Sequence, residues 1–306
     1  MCPLSGHIPT GFLLLRAAAS VAAGIPPQVG AGVRCSTAVS VPCARVGAYR
    51  SAGGWGSVMA GRTRHRARPL RRVRIDDAPP TGDHAAGWPW SMPAVDALAA
   101  AELELGAVTV LVGENGSGKS TLVEAIAMAF GMAGEGGSTG ARHATRTTES
   151  ELWKYLTLTR EPGGARWGFF LRAETMHGFY SYLEDHAGER PEPVFHEMSH
   201  GESFLALLGT ERFNGPGLYL LDEPESALSF QGCLNLVAQL HELSRTGGAQ
   251  MIVATHSPLI AAVPGARILE LGPWGIHESA WEDLALVQQW RSFLRDPQVF
   301  LRHLDG

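Results

Sequence analysis

Apolar residues along this chain gather in a few short continuous runs, set between longer stretches of helical spacing and glycine-rich polar segments. The sharpest run is Val108-Thr109-Val110-Leu111-Val112, β-branched and ended by a glycine. A run that does not alternate with polar residues predicts a strand buried on both faces. Trp167–Leu171, Leu218–Leu221 and Met251–Ala254 repeat the pattern, and Val73-Arg74-Ile75 predicts an edge strand. Thr121 to Phe130 is Ala-rich and stops at Gly131, which predicts a helix with a glycine end. Ser203–Leu208 and Ala227–Leu243 carry helical spacing, whereas residues 131–148 are rich in Gly, Thr and Arg and predict a loop. Strands alternating with helices predict an α/β fold, with a mainly parallel sheet covered by helices on both faces. There is no internal repeat and no heptad run long enough for a coiled coil.

Residues 1–68 break this pattern. They are rich in Gly, Ala, Pro, Ser and Arg and hold no sustained period of 2 or 3.6. They predict a disordered leader, with Met59 as an internal start, ahead of one domain over 69–306. Arg62, Arg64, Arg66, Arg68, Arg71, Arg72 and Arg74 cross that boundary and leave two readings open: a nucleic-acid or acidic-lipid arm, or a solvated leader. The stretch Gly11–Ser20 is the nearest thing to a signal sequence, but it lacks a basic leader and Arg16 interrupts it. No apolar run reaches the ~20 residues of a membrane-spanning helix. The expectation is a cytoplasmic protein without direct membrane insertion.

Composition adds two constraints. The net charge of -5 argues against nucleic-acid binding by the whole surface, leaving only a local basic patch. The four cysteines, Cys2, Cys35, Cys43 and Cys233, form no C-x-x-C pair, so free thiols in a reducing compartment are expected. Lys119 and Lys154 are the only lysines, which makes the first of them conspicuous.

That lysine stands in Gly113-Glu114-Asn115-Gly116-Ser117-Gly118-Lys119-Ser120-Thr121, directly after the Val108–Val112 strand and before a helix. The spacing G-x-x-x-x-G-K-[ST] is that of a phosphate-binding loop. Glycines let backbone N–H groups turn inward around an anion, and the helix N-terminus points at the same charge. Lys119 supplies a compact positive charge, and the Ser120 hydroxyl is a candidate ligand for Mg²⁺. A second acidic element ends the Leu218–Leu221 strand: Asp222-Glu223-Pro224. A buried strand has no use for two carboxylates unless they emerge at its end. Asp222 is the candidate second Mg²⁺ ligand, and Glu223 the base that orients and deprotonates water.

These motifs resemble the ABC-type ATPases. The resemblance rests on the loop with Asn115 before its second glycine, on Asp222-Glu223-Pro224 followed by Ser226-Ala227-Leu228, and on Ala254-Thr255-His256-Ser257 at the end of the next strand. It covers Leu70 to the C-terminus and looks closest to stand-alone bacterial predicted AAA/ABC ATPases of the recombination and chromosome-maintenance branch. It implies a P-loop NTPase sheet flanked by helices, with a small helical insertion. It also implies ATP and Mg²⁺ as cofactors, and His256 as the sensor of the γ-phosphate.

Met198-Ser199-His200-Gly201-Glu202 is similar to the family's signature motif, whose serine and glycine cap the nucleotide of a partner subunit. Ser199 and Gly201 are therefore implied as binding residues in an ATP-dependent homodimer. The chain departs from the family in several places. His200 replaces a glycine, and Ser229 stands where an aspartate is common. No glutamine follows the strand ending at Leu171, Glu174 being the nearest polar residue. Trp88 and Trp90 lie where transporter members place an adenine aromatic, and their expected role here is packing. The segment between the loop and the signature is too short for a long coiled-coil arm. Three uses of such a domain compete: a soluble ATPase acting alone or on nucleic acid in repair or defence, the energising subunit of a transporter, and a nucleotide-gated switch. The partner is then a nucleic acid or another protein.

Overall fold

The computed structural model describes residues 67–76, 87–139, 150–175, 198, 200–210, 213, 215–245 and 247–302. The leader therefore lies almost wholly outside the described residues. Two sheets organise the rest. The smaller is antiparallel and three-stranded, in the order β2 (Leu103–Glu104), β1 (Arg72–Ile75), β5 (Leu156–Thr159). The larger has seven strands: β10 (Gly275–Glu278), β9 (Arg267–Gly272), β3 (Val108–Gly113), β8 (Ala249–Thr255), β7 (Gly217–Asp222), β6 (Gly168–Arg172) and β4 (Gly137–Ser138). The five strands from β9 to β6 run parallel, and the edges β10 and β4 are antiparallel.

Alternation along each central strand feeds two cores. Val108, Val110 and Val112 of β3, Tyr219 and Leu221 of β7, and Met251 and Val253 of β8 enter one apolar cluster. It is closed by α3 (His200–Leu208), α4 (Phe230–Arg245), α5 (Pro258–Ala261) and the start of α6 (Ala285–Arg295). Leu111, Leu218, Leu220, Ile252 and Ala254 point to the other face. There they meet α2 (Lys119–Phe130), α1 (Pro93–Ala100) and the small sheet. A last short helix, α7 (Gln298–Leu301), ends the described chain. Because both faces are covered, these strands read as continuous apolar runs.

One buried amide ties the two sheets. Gln250, fully buried in β8, accepts from Leu70 N at 2.8 Å and donates to Leu70 O at 2.8 Å and Gly106 O at 2.9 Å. The arginines at the domain's entry are likewise held within the fold. Arg68 pairs with Glu161 at 2.8 Å, Arg72 with Glu104 at 2.8 Å, and Arg74 with Asp76 at 2.6 Å.

The sequence-based expectations need three adjustments. The long helix starts at Phe230 and not at Ala227, because Pro224–Ala227 forms a separate 3₁₀ turn. Ser229 then caps it: its hydroxyl accepts from Gly232 N at 3.2 Å and its carbonyl from Cys233 N at 2.8 Å. The helix expected from Ser203 starts earlier, at His200. The loop expected over 131–148 contains β4, paired to β6, and its residues 140–148 lie outside the described residues.

Candidate functional site

The carboxyl ends of β3, β6, β7 and β8 all open on one edge of the large sheet, since these strands are parallel. In open α/β sheets that edge is where ligands bind. The loop Gly113–Gly118 leaves β3 there. Gly113 must be glycine: a Cβ would stand 2.4 Å from Leu271 O. Gly116 and Gly118 have φ of 80° and 101°, left-handed values that other residues adopt at a cost. Gly118 then starts α2, so the first helical N–H groups face the concavity of the loop.

Lys119 is the first residue of α2 and only 3% exposed. Its Nζ donates to Gly113 O and Glu114 O, both at 3.0 Å, and so spans the loop from within. Burial lowers its pKa, opposed by Glu223, Asp222 and Glu225. Glu114, Asn115 and Gly116 are exposed at the rim, and Thr121 follows in the first turn of α2. Ser117 Oγ is buried without a hydrogen-bond partner, as expected of a donor kept for an anionic ligand.

The next residue joins the two halves of the site. Ser120 Oγ donates to Asp222 Oδ1 at 2.9 Å, across 102 positions of sequence. Asp222 ends β7 and is 4% exposed. Burial pushes its pKa up to about 6, against the Ser120 hydrogen bond and the charge of Arg172. A hydroxyl and a carboxylate held together are the hard oxygen donors that Mg²⁺ prefers, so these residues fit that ion. Among the described residues no group of three or more His, Cys, Asp or Glu side chains is arranged to hold an ion. The protein thus offers part of a coordination shell, with the remainder left to water and phosphate oxygens, as is usual for Mg²⁺.

Glu223 sits in the left-handed region at φ 48°, the only described non-glycine residue with a positive φ. Such backbone costs about 1–3 kcal/mol and concentrates at functional sites. The turn is held by Glu223 N donating to Ala254 O at 3.0 Å and by Ser226 Oγ donating to Glu223 O at 2.9 Å. Its carboxylate Oε1 lies 3.2 Å from His256 Nε2, close but without hydrogen-bond alignment. His256 follows β8, and its backbone N–H donates to Glu225 Oε1, which also accepts from Thr255 Oγ1 at 2.7 Å.

The structure therefore brings Lys119, Ser120, Asp222, Glu223 and His256 to one sheet edge. Gly201 lies elsewhere, on α3 against the turn after Glu223, where a Cβ would be 3.1 Å from Ala227 O. Ser199 falls outside the described residues. Beside the loop runs an open groove of about 860 Å³, lined by residues that include Asn115, His256, Glu270, Trp274 and Gln289. Trp90 is buried edge-on against Tyr155 at 4.8 Å, in its expected packing role, and Trp88 is exposed.

Sequence reasoning missed three residues. Glu225 clamps the start of the His256 segment. Arg172, which ends β6, faces Asp222 Oδ2 at 3.5 Å, and Glu124 of α2 anchors Arg172 at 2.6 Å. Burial opposes the charge of Arg172, but Asp222 and Glu124 outweigh it and raise its pKa. The available signals were a charge closing an apolar strand and the i, i+4 spacing of Ser120 and Glu124 on one helix face.

Residues 99–226 match the profile of the ABC transporter family. The chain carries an ABC-type ATPase domain. This ATPase is 21% identical over 225 residues to an uncharacterized ABC transporter ATP-binding protein of Haemophilus influenzae, covering 67% of the chain and 85% of the relative. It is 38% identical over 127 residues to the cytochrome c biogenesis ATP-binding export protein CcmA of Pseudomonas syringae, covering 42% of the chain. The match spans only 55% of that second relative's length. Among solved structures, the SMC head domain from Thermotoga maritima overlaps 69% of the chain and 98% of its own, at 18% identity and a TM-score of 0.38. An overlap at that level carries no argument for the chromosome-maintenance branch. Among the described residues no helix is long and apolar enough to cross a membrane.

Proposed function

We propose that the chain hydrolyses ATP with Mg²⁺ at the sheet edge built by Lys119, Ser120, Asp222, Glu223 and His256, and that a second copy completes the site. The observation that carries this reading is the Ser120–Asp222 hydrogen bond, which joins the phosphate loop to the acidic strand end. The loop N–H groups of residues 113–118, with Thr121 in the first turn of α2, cradle the phosphates, and Lys119 meets their charge. Ser120 and Asp222 would hold Mg²⁺, which when bound neutralises charge shared between phosphate oxygens. Glu223 accepts a proton from the attacking water. Its unusual backbone and the nearby His256 fix where its carboxylate points. His256, held through its backbone by Glu225, is the side chain that senses the terminal phosphate.

Ser199 and Gly201 serve the partner's nucleotide. The packing of Gly201 against the turn after Glu223 supports this, because it couples the signature helix to the acidic strand end. ATP then draws two copies together and hydrolysis separates them. Mixing two variants tests the shared site. Lys119→Ala and Ser199→Arg should each lack phosphate release as homodimers, since each breaks both sites. A mixed dimer keeps one intact pairing and should regain a fraction of the activity. Full turnover by Ser199→Arg alone, as a monomer, refutes the shared site, and full turnover by Lys119→Ala refutes the ATPase assignment.

A second reading, energising a membrane partner, draws support from the relatives named as transporter ATP-binding proteins. It predicts that a permease co-purifies with Glu223→Gln. A role on DNA draws less support, because Arg68, Arg72 and Arg74 are paired within the fold.

A further inference from the structure

Asp222 is gripped through both of its oxygens from the same helix. Ser120 of α2 holds Oδ1 directly at 2.9 Å. One turn further along α2, Glu124 holds the guanidinium of Arg172 at 2.6 Å, and Arg172 Nε stands 3.5 Å from Oδ2. The strand register makes this second contact inevitable, since Arg172 of β6 is the direct neighbour of Asp222 on β7. Glu174 adds a third carboxylate, 3.8 Å from the same Nε. That Nε is buried and satisfied by no hydrogen bond, so its interaction with Asp222 is one of charge alone.

A guanidinium surrounded by three carboxylates, one of them the candidate metal ligand, occupies the electrostatic role of a cation. We propose that Arg172 is a built-in competitor for the divalent cation: it holds Oδ2 of Asp222, so that metal binds only together with the phosphates of a nucleotide. The three carboxylate oxygens point at the guanidinium and form no ion-holding group by themselves. Metal alone would have to displace Arg172 from Asp222 and leave its charge beside a second positive charge. Metal with nucleotide brings its own negative ligands, and the balance reverses. Arg172 is thus a positioning residue that acts through Asp222, and this inference rests on the assignment of Asp222 as a metal ligand.

The test uses Mn²⁺ alone, with binding read from the loss of the free-ion paramagnetic resonance signal in nucleotide-free protein. The wild-type chain should bind Mn²⁺ no more tightly than millimolar. Arg172→Gln, checked for native circular dichroism, should bind one Mn²⁺ at least roughly tenfold more tightly, because the positive charge 3.5 Å from Asp222 Oδ2 has been removed. Arg172→Lys keeps the charge and should behave as wild type. Micromolar Mn²⁺ binding by the wild-type chain overturns the proposal whether or not the variants fold. A folded Arg172→Gln without tighter binding overturns it as well. A fluorescent ATP analogue, titrated with and without Mg²⁺ into the wild-type chain, keeps the two questions apart. Loss of Mg²⁺-dependent nucleotide binding defeats the ATPase reading, whereas only the nucleotide-free Mn²⁺ titration defeats the role of Arg172.

Discussion

Replacing Asp222 with Asn should stabilise the nucleotide-free protein at neutral pH while destroying its function. Burial lifts the Asp222 pKa from 3.8 to about 6. The folded chain therefore holds this proton more tightly than the unfolded chain does. Between pH 4 and 6 the folded state carries the extra proton, so stability falls as pH rises through that window. Above pH 6 the full cost of burying the charge is present. A difference of about 2.2 units at about 1.36 kcal/mol each gives a ceiling of about 3 kcal/mol. Asn keeps an oxygen for the Ser120 hydroxyl and removes the buried charge. Urea unfolding without nucleotide or divalent metal, from pH 4 to 8, reads the difference as a shift in midpoint at constant slope. Asp222→Asn should be more stable than wild type at pH 7.5, and the gap should close toward pH 4. Other carboxylates titrate in both proteins and cancel. Adding Mg²⁺ and ATP should stabilise wild type alone. A variant less stable than wild type at pH 7.5, or a gap that ignores pH, refutes the claim that Asp222 is an ionised group held at the expense of the fold.

Other expectations follow from the same geometry. Glu223→Gln should lose ~100- to 10,000-fold in turnover while keeping ATP affinity, measured by phosphate release and equilibrium binding; a parallel loss of affinity would make Glu223 a ligand and not a base. Glu225→Ala frees the backbone N–H of His256 and should lower kcat while leaving KM within a few-fold, and unchanged kcat would show that the clamp is dispensable. Gln250→Leu strands three backbone groups at the junction of the sheets, each costing about 1–3 kcal/mol, and should lower Tm without altering the site. An unchanged Tm would mean that these groups find other partners.

The central strands were legible because burial on both faces leaves no room for polar alternation. Val108–Val112, Leu218–Leu221 and Met251–Ala254 all lie within observed strands. Strands of two residues, such as β2 and β4, carry no periodicity at all, and pairing creates them. β9 was missed because its sequence, Arg267-Ile-Leu-Glu-Leu-Gly, is broken by Glu270. That glutamate is buried because it accepts from Ala285 N at 2.9 Å at the start of α6. The phosphate loop was legible because its glycines answer to local geometry. Arg172 was not, because a charge at a strand end acquires meaning only from its neighbour across the sheet.

Strand register explains why residues so distant in sequence form one site. Val112 of β3 pairs with Thr255 of β8, and Asp222 of β7 pairs with Ala254. The chemistry begins where these strands leave the sheet: Gly113 is the last residue of β3, and Glu223 and His256 are the first positions after β7 and β8. The three strands end level with one another, so these positions arrive together on one rim. A slip of one residue between β7 and β8 would send Asp222 and Glu223 to opposite faces from those they occupy. The apolar alternation forbids that slip, since Tyr219 and Leu221 would exchange cores with Leu218 and Leu220. The Ser120–Asp222 contact is therefore held in place by hydrophobic side chains that never touch the nucleotide. Core substitutions in β7 that keep its volume should spare catalysis. A shortened or lengthened β7 should abolish it even where the chain still folds.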